Sequence, residues 1–412
     1  MRVEVVNTGT ELLLGKVINT HAAYFGNELF KLGLRVQRQT TIPDGDDIRV
    51  VLEEAFPRTD VILITGGLGP THDDITREVV AEMLGRELHL DQSILNGIRE
   101  MFVSRGLKMN PSNNKQAMVP DGAEVLDNPN GTAPGLFVPT TENSPHLFLL
   151  PGPPRELKPM MENLVIPKLG DLLGPENSPD GTRNFRIYGV GESAIAGRLE
   201  AKFNEIDDLE VGYCARLGEV DVRLIGPESA IEAAAELVRV AYPRQIVTES
   251  EDPIEKVIVG MLRERGETVA TAESCTGGQI ASTITNTDGS SAVFGHGFVT
   301  YANEAKAKWL GVPMELIEEH GAVSEEVVRA MAAGCLEASG ADHAIAVSGI
   351  AGPGGGTDEK PVGTVQIAIA SREGGIFAKR YYQPVDRLSF KTRVTRLALD
   401  LLRQRLAGFE LK

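Results

Sequence analysis

Cysteine and long hydrophobic runs are scarce in this sequence. The three cysteines, Cys214, Cys275 and Cys335, are odd in number and show no Cys-x-x-Cys spacing. That pattern excludes a disulfide framework and a cysteine-rich zinc site, and it favours a reducing compartment. The N-terminus lacks the features of a signal peptide, and no apolar run reaches the roughly 18 residues that a membrane-spanning helix needs. We therefore expect a cytoplasmic protein with no membrane partner.

Positive charge is also in short supply. The chain has 41 lysines and arginines against 58 acidic residues, which gives a formal net charge of −17. Such a surface repels phosphate backbones and anionic lipid, so a nucleic-acid partner is not expected. A local basic pocket for one small phosphorylated ligand remains compatible with this charge. The 412 residues correspond to two to four domains, and the 44 glycines indicate several tight turns around ligands.

Short apolar runs alternate with segments of helical period along the chain. In the first part, strands are expected at 3–6, 34–41 and 61–65, and helices at 17–32, 46–56 and 156–169. This alternation predicts an α/β fold with a mostly parallel sheet and helices on both faces. Ligands bind such sheets at the carboxyl ends of the strands, where several glycine-rich turns lie.

Two polar stretches divide the chain into three predicted domains. Residues 170–183 (GDLLGPENSPDGTR) read as a linker and 249–253 as a hinge, with a compact β-α-β-β-α unit between them. The predicted domains are 1–170, 171–250 and 251–412. The last of these is expected to be a second α/β domain.

A serine follows a buried strand of the third domain and precedes a helix. Residues 273–278 (ESCTGG) place Ser274 on this turn, where backbone N–H groups of Thr276, Gly277 and Gly278 could hold an oxyanion or a phosphate. A capping serine with glycines for helix packing is the alternative.

A base for this serine would come from a histidine or a lysine. His296 is the sole plausible histidine, and Lys306, five residues after Tyr301, is the competing group. A lysine desolvated in a pocket loses its charge more readily and can accept the serine proton. A surface position for Lys306 is the alternative.

A glycine-rich stretch, 348–364 (SGIAGPGGGTDEKPVGT), follows the next strand and could cradle a phosphate or ribose. It has the spacing of neither a P-loop nor a Rossmann turn. Its candidate binding residues are Ser348, Gly349, Gly352, Gly354, Gly355 and Thr357.

Together, the motifs 273–278, 301–306 (YANEAK) and 348–364 resemble the C-terminal domain of the CinA family, the nicotinamide-nucleotide amidases. The resemblance implies hydrolysis of nicotinamide mononucleotide to nicotinate mononucleotide and ammonia without a cofactor. It also implies that Ser274 is the nucleophile, Lys306 its base, and Tyr301 the hydroxyl that assists proton transfer. Cys275 is the rival nucleophile.

A second constellation lies near the N-terminus, at 66–76 (GGLGPTHDDIT). Glycines end a strand there, and Asp73 and Asp74 follow. One of these aspartates could bind a divalent ion of the magnesium, manganese or cobalt type that coordinates a pyrophosphate, with His72 a neighbour rather than a ligand. A capping role for the acids is the alternative.

With 8–15 (TGTELLLG), 130–135 (NGTAPG) and 150–154 (LPGPP), this stretch resembles the CinA N-terminal domain, which is related to molybdopterin-binding MoaB/MogA proteins. The resemblance implies a three-layer fold with metal-dependent ADP-ribose pyrophosphatase activity. His21 departs from the family's usual asparagine, whereas Asn19 is retained. The substrate contacts it implies are Thr10, Glu11, Gly67, Gly69, Thr71, Gly131 and Thr132.

The middle domain is similar to the small KH-like α+β domain of CinA. The acidic charge makes RNA binding a weak expectation, so a structural or dimerising role is favoured and a homodimer is expected. Two other functions stay open: a non-catalytic interaction protein of DNA uptake or repair, and a molybdopterin-binding protein.

Overall fold

The structure of the chain is a computed structural model that describes residues 1–174 and 181–412. It forms two compact units, Met1–Pro179 and Asp180–Lys412. In these described ranges, no helix combines the length and the apolar character needed to cross a membrane. Residues 175–180 of the predicted linker lie outside the described residues.

The first unit is built on a mixed sheet with the strand order β2-β1-β3-β8-β7-β6. Strands β2, β1, β3 and β8 are parallel, β7 pairs antiparallel with β8, and β6 pairs antiparallel with β7. A separate antiparallel pair joins β4 and β5. The strands are β1 (Val3–Thr8), β2 (Val36–Ile42), β3 (Val61–Thr65), β4 (Leu88–Leu90), β5 (Met118–Pro120), β6 (Glu124–Leu126), β7 (Gly135–Val138) and β8 (His146–Leu150).

Helices cover both faces of this sheet, as the sequence predicts. Strand β3 (VILIT) is buried throughout because alternate side chains enter opposite cores: Leu63 packs in one and Ile64 in the other. The helices are α1 (Thr10–Leu13), α2 (His21–Phe30), α3 (Asp47–Ala55), α4 (Thr76–Met83), α5 (Gln92–Ser104), α6 (Pro154–Met160) and α7 (Ile166–Leu173). Short 3₁₀ segments lie at Phe56–Arg58 and Pro111–Ala117.

Two helix predictions need correction in this unit. The helix expected over 17–32 begins only at His21, because the Asn19 side chain accepts the His21 amide (3.0 Å) and fixes a turn before it. The helix expected over 156–169 starts at Pro154, passes through a π-helical segment, Met161–Val165, and ends at Leu173. The predicted linker therefore begins too early, since Gly170 is helical.

The second unit opens with the KH-like module. Its antiparallel sheet has the order β10-β11-β9-β12, with two helices packed on it. The predicted β-α-β-β-α order is confirmed, and a short final strand is added. The elements are β9 (Gly181–Tyr188), α8 (Glu192–Phe203), β10 (Glu210–Arg216), β11 (Glu219–Gly226), α9 (Glu228–Ala241) and β12 (Ile246–Thr248).

The C-terminal domain has a mixed sheet of order β14-β13-β15-β16-β17. Strands β14, β13 and β15 are parallel, so their carboxyl ends meet at one edge, whereas β16 and β17 are antiparallel. The elements are α10 (Ile254–Arg265), β13 (Val269–Glu273), α11 (Gln279–Thr285), β14 (Phe294–Val299), α12 (Asn303–Leu310), α13 (Met314–His320), α14 (Glu325–Ser339), β15 (His343–Gly349), β16 (Thr364–Ser371), β17 (Gly375–Tyr382) and α15 (Arg387–Leu406).

Helix α15 joins the C-terminal domain to the KH-like module within this unit. Its Arg396 donates from Nη1 to the Leu217 carbonyl at 2.7 Å. Arg403 donates to the carbonyls of Ile246 (2.8 Å) and Arg244 (2.6 Å). Phe390, on the same helix, packs in the core of the C-terminal domain. One helix therefore contributes to both bodies.

Two helical glycines of the C-terminal domain should respond oppositely to alanine. A Cβ at Gly334 of α14 would collide with the Leu310 carbonyl at the end of α12, whereas a Cβ at Gly260 of α10 would meet no atom within 4 Å. We expect Gly334→Ala to destabilise the chain by about 3 kcal/mol through overpacking. Gly260→Ala should stabilise it by up to about 1 kcal/mol through helix propensity. Chemical denaturation measures both, and equal changes would contradict this account of the packing.

Candidate active sites

Ser274 and Lys306 meet at the carboxyl end of the sheet in the C-terminal domain. Ser274 follows β13, and its amide donates to the Val347 carbonyl of β15 at 3.0 Å. Lys306 lies in α12 and points back towards the turn, with Nζ 3.3 Å from Ser274 Oγ. Its side chain is only 1% exposed, so the surface alternative for this lysine is wrong.

The environment of Lys306 favours a neutral amine. Burial lowers the pKa of Lys306, with the effects of Cys275 and Glu304 smaller and opposite. Nζ also donates to the carbonyls of Thr300 (3.0 Å) and Tyr301 (3.3 Å). A neutral amine has two hydrogens, which these carbonyls accept, and its lone pair is then left for the Ser274 hydroxyl proton. The arrangement can therefore act as a nucleophile with its base.

A buried carboxylate holds the serine turn in shape. Glu273 is fully buried, and its two oxygens accept the amides of Ile280 (3.0 Å) and Ala281 (2.8 Å) as well as the Thr276 hydroxyl (2.6 Å). The carboxylate thus occupies the N-terminus of α11, where unpaired amides and the helix dipole favour negative charge. The sequence analysis missed this role, although an acid directly before a helix start was the available signal.

The predicted oxyanion donors are only partly free. The Gly277 amide donates to the Ser274 carbonyl at 3.1 Å, so it closes the turn rather than facing a substrate. Gly277 and Gly278 both have positive φ, 63° and 91°, which explains why glycine occupies them. The Thr276 side chain is committed to Glu273. The expectation of three free amides at this turn is therefore corrected.

Tyr301 lies at the mouth of the site, with its side chain 61% exposed. Its hydroxyl accepts from Arg387 Nη2 at 3.0 Å, and Arg387 Nη1 donates to the Gly352 carbonyl at 2.8 Å. Among the described residues, the hydroxyl makes no hydrogen bond to Ser274 or Lys306. The carbonyl of Tyr301, rather than its hydroxyl, is what touches the lysine.

The first turns of α15 bring two cations to this site that the sequence analysis missed. Arg387 is one, and Lys391 is the other, with Nζ 3.7 Å from the position a Cβ on Gly277 would occupy. Lys391 has no hydrogen bond or ion pair within the part of the chain that the structure describes. Basic residues at a helix start oppose the helix dipole, so this i,i+4 pair was the signal that could have revealed them.

The glycine-rich stretch lies beside the same site but is less open than predicted. The Ser348 hydroxyl is buried and donates to the Ala322 carbonyl at 2.6 Å. Thr357 closes a turn with Lys360, whose amide donates to the Thr357 hydroxyl at 3.1 Å. The predicted glycines differ in their surroundings. A Cβ on Gly349 would collide with β16, and a Cβ on Gly352 would collide with Val362, whereas Gly354 and Gly355 are exposed.

The two rivals of the Ser–Lys pair fit less well. Cys275 is buried, and burial raises the pKa of its thiol to about 12, so little thiolate forms near neutral pH. His296 is exposed on β14 and stacks on Phe298, with ring centroids 6.2 Å apart. In the described ranges it has no hydrogen bond to Ser274.

The first unit holds a cavity of about 480 Å³ at the carboxyl ends of β1, β3 and β8. Loop 66–70 forms one wall: the Thr76 hydroxyl and amide donate to the carbonyls of Gly66 (3.0 Å) and Gly67 (3.2 Å). The proline-rich turn 151–154 also lines the cavity and lies beside this loop, since a Cβ on Gly152 would be 3.7 Å from Gly66 Cα. Of the predicted residues, those that line the cavity are Glu11, Gly67, Gly69, Asp74 and Thr132.

The other predicted residues of this region do not line the cavity. Thr10 is held by Asp44, which accepts its amide (3.0 Å) and its hydroxyl (3.1 Å). Thr71 donates from its hydroxyl to Asp73 (2.5 Å) and Asp74, and Asp73 itself is exposed. Gly131 packs beside the Glu156 carboxylate, which accepts from Asn128 at 2.9 Å. Asp74 is therefore the aspartate that faces the cavity.

The residues at this cavity suit a divalent ion that arrives with a pyrophosphate. Within the described residues, no group of three or more His, Cys, Asp or Glu side chains could hold a metal alone. Magnesium-type ions commonly take one or two carboxylates and complete their shell with water and substrate phosphates. Asp74 supplies such a carboxylate beside glycines that let a phosphate approach, and the buried Thr8 Oγ1 has no hydrogen-bond partner there.

Two further side chains of this region were not assigned from sequence. Arg77 is fully buried and donates to the carbonyls of Lys115 (2.9 Å) and Leu68 (3.3 Å), which ties the glycine loop to the following segment. His21 is buried at the cavity wall, and burial lowers the pKa of its imidazole. It contacts the Thr65 hydroxyl at 3.5 Å.

Comparisons with known proteins match this three-part architecture. The family model of the CinA C-terminal domain matches residues 251–406, that of the probable molybdopterin binding domain matches 4–171, and that of the damage-inducible protein CinA KH domain matches 182–247. A CinA-like protein of Akkermansia muciniphila is 49% identical over 97% of this chain and 96% of its own length. This chain belongs to the CinA family.

Two further similar proteins are a full-length relative and a shorter chain of known structure. A putative competence-damage inducible protein of Symbiobacterium thermophilum is 45% identical over 99% of this chain and 100% of its own length. A crystal structure of the competence/damage inducible protein CihA from Agrobacterium tumefaciens is 44% identical over 37% of this chain and 93% of that chain, with a TM-score of 0.37.

The lowered pKa of Lys306 predicts how stability depends on pH. The ordinary lysine value is 10.5, so between the folded-state pKa and 10.5 the unfolded chain binds more protons. The contribution of Lys306 to the free energy of unfolding therefore rises with pH in that range. The unfolding free energy of wild type minus that of Lys306→Met should therefore rise as the pH approaches 10.5 from below. Chemical denaturation at a series of pH values measures this difference, and a difference that stays constant with pH would contradict the buried amine.

Proposed function

We propose that the C-terminal domain hydrolyses the carboxamide of nicotinamide mononucleotide to nicotinate mononucleotide and ammonia. One observation carries the proposal: a lysine amine, buried and without a carboxylate partner among the described residues, lies 3.3 Å from a serine hydroxyl. A Ser–Lys pair of this kind is an accepted variant of nucleophilic catalysis on acyl groups. Membership of the CinA family supports the same chemistry.

The proposed reaction proceeds through an acyl-enzyme. Ser274 Oγ attacks the carboxamide carbon, and its proton passes to Lys306 Nζ. The C–N bond then breaks, and the Lys306 ammonium gives a proton to the leaving nitrogen, which departs as ammonia. Water next attacks the ester carbon and gives a proton to Lys306 Nζ. The C–O bond to Ser274 then breaks, Lys306 returns this proton to Ser274 Oγ, and the carboxylic acid product loses its own proton to solvent to give the carboxylate.

Arg387 and Lys391 supply the charge that a mononucleotide needs. The chain as a whole carries −17, so a phosphate has to find a local positive field. The two cations of α15 stand beside the serine turn, and the exposed glycines of the glycine-rich stretch leave its backbone accessible nearby. We assign the phosphate to the cations and the ribose to this stretch.

Removal of either partner should abolish the amidase. We expect Ser274→Ala and Lys306→Ala each to lower kcat by at least about 10³-fold, and the double variant to be little worse, because nucleophile and base act as a unit. Ammonia release from nicotinamide mononucleotide gives the rates. Cys275→Ser is the matched control and should keep most activity. An active Ser274→Ala protein that thiol alkylation inactivates would instead assign the reaction to Cys275.

We propose a second activity, metal-dependent hydrolysis of ADP-ribose, for the cavity of the first unit. The supporting observation is the position of Asp74 at a glycine-lined cavity located at the carboxyl ends of parallel strands, where phosphates commonly bind. A bound divalent ion would neutralise charge on the phosphates. Asp74 would hold that ion, and loop 66–70 would position the pyrophosphate against its backbone.

The two neighbouring aspartates should differ in importance. Asp74→Asn should lower ADP-ribose hydrolysis by at least about 10²-fold, because its carboxylate faces the cavity and carries the ion. Asp73→Asn should change the rate by less than about threefold, since Asp73 is exposed and bonds only Thr71 among side chains. Formation of AMP with added magnesium or manganese measures both. Equal losses, or no loss at Asp74, would contradict the assignment, and amidase activity of the same variants serves as the folding control.

A further inference from the structure

An unusual concentration of exposed apolar side chains borders the cavity of the first unit. The segment between α1 and α2 exposes Leu13 (54%), Leu14 (68%), Val17 (53%) and Ile18 (84%). Exposing large apolar side chains in one short stretch costs solubility and hydration free energy, so a contiguous patch generally marks a binding surface.

Part of this patch turns into the cavity and part turns away. Leu12, Val17 and Ile18 line the cavity, and we call these three residues the apolar lip. Leu13 and Leu14 are equally apolar and adjacent in sequence but do not line it. The segment is held in place by backbone bonds, among them the amide of Lys16 to the carbonyl of Glu11 at 3.0 Å. The lip is therefore a defined wall.

The lining of the cavity combines groups that suit phosphates with apolar surface. Loop 66–70 and Asp74 offer backbone, small residues and a carboxylate, which suit phosphates with a cation. The apolar lip lines the same cavity, as do Pro151, Pro153 and Pro154 of the turn after β8. Among the described residues that line the cavity there are further carboxylates but no lysine or arginine, so a phosphate has no positively charged side chain as a partner there.

We propose that the apolar lip binds the planar heteroaromatic base of the nucleotide whose phosphates lie against loop 66–70. This inference rests on the proposed hydrolysis of ADP-ribose and adds the base-binding wall to it. A base presents two flat faces of low polarity, which gain free energy when aliphatic side chains and proline rings exclude water from them. The lip and the proline turn supply such surfaces in one cavity of about 480 Å³, within the range of small-molecule sites.

Polar groups nearby are mostly committed to the protein. Gln116 donates to the Thr132 hydroxyl (3.1 Å) and accepts from Asn113 (2.9 Å), and Asn19 accepts the His21 amide. The base would thus be held mainly by apolar contact on its faces. Binding of the base in this way would raise the affinity for the substrate and would not act on the phosphorus atom that reacts.

The test compares a lip variant with a neighbouring control in the full chain. Val17→Ser combined with Ile18→Ser removes the two exposed side chains of the lip. Leu13→Ser combined with Leu14→Ser removes a comparable exposed apolar surface outside the cavity. We expect the lip variant to raise KM for ADP-ribose about tenfold with kcat within twofold. The control should leave both constants within twofold of wild type. Thermal unfolding checks that both variants fold.

Calorimetry supplies a readout independent of turnover. The lip variant should bind magnesium-ADP about tenfold more weakly, while its affinity for magnesium pyrophosphate, which has no base, stays unchanged. An unchanged KM, equal losses in lip variant and control, or an equal loss of pyrophosphate binding would overturn the proposal. So would conversion of a dimer to a monomer with unchanged KM, because the patch would then contact a second copy of the chain.

The two proposals for this cavity can fail separately. A wild-type chain that does not hydrolyse ADP-ribose, yet binds magnesium-ADP more tightly than the lip variant does, contradicts the hydrolysis and supports the lip. A wild-type chain that hydrolyses ADP-ribose with the same KM as the lip variant supports the hydrolysis and overturns the lip.

Discussion

The chemistry of the C-terminal domain depends on keeping one amine out of water. Lys306 gives up hydration for two backbone carbonyls and a serine hydroxyl, and this exchange lowers its pKa. The rest of the site follows from that constraint. The turn after β13 has to place Ser274 within reach of Lys306. Glu273 holds that turn by capping α11, and the positive φ of Gly277 and Gly278 lets the chain enter the helix.

The two candidate sites carry different charges on a protein that is acidic overall. In the C-terminal domain, Arg387 and Lys391 lie at the start of α15, where such charges are otherwise unfavourable. The cavity of the first unit has acids such as Asp74 and Glu11 on its wall, so the phosphate binding proposed there would require a cation that comes with the ligand. The net charge disfavours bulk polyanions as partners, but it does not distinguish these two arrangements.

Much of the fold could be predicted from the hydrophobic periodicity of the sequence and from its turn-forming residues. Strand β3 matches its predicted bounds, because an uninterrupted apolar run and the two glycines that follow it specify the strand. Strands of three residues, such as β4 and β6, are too short for an alternation of apolar and polar residues to be recognised. At the candidate site, the position of Ser274 after a strand could be predicted from the residue pattern, whereas the choice of Lys306 as its base depended on the resemblance to the CinA family. The sequence did not predict that Gly277 and Ser348 form hydrogen bonds within the protein, or that α15 brings Lys391 to the site. These features depend on tertiary contacts, which a linear pattern does not contain.

Helix α15 has a practical consequence for how the chain can be cut. Its Arg403 is 4% exposed and keeps Asp400 as an ion-pair partner at 2.7 Å, but its carbonyl partners Arg244 and Ile246 belong to the KH-like module. A fragment that begins near residue 250 would lose those carbonyl acceptors. It would also expose the face of α15 that carries the buried Arg403. Expression designs that keep residues from 181 onward retain this interface, and α15, which brings Arg387 to the candidate site, then keeps its contacts at both ends.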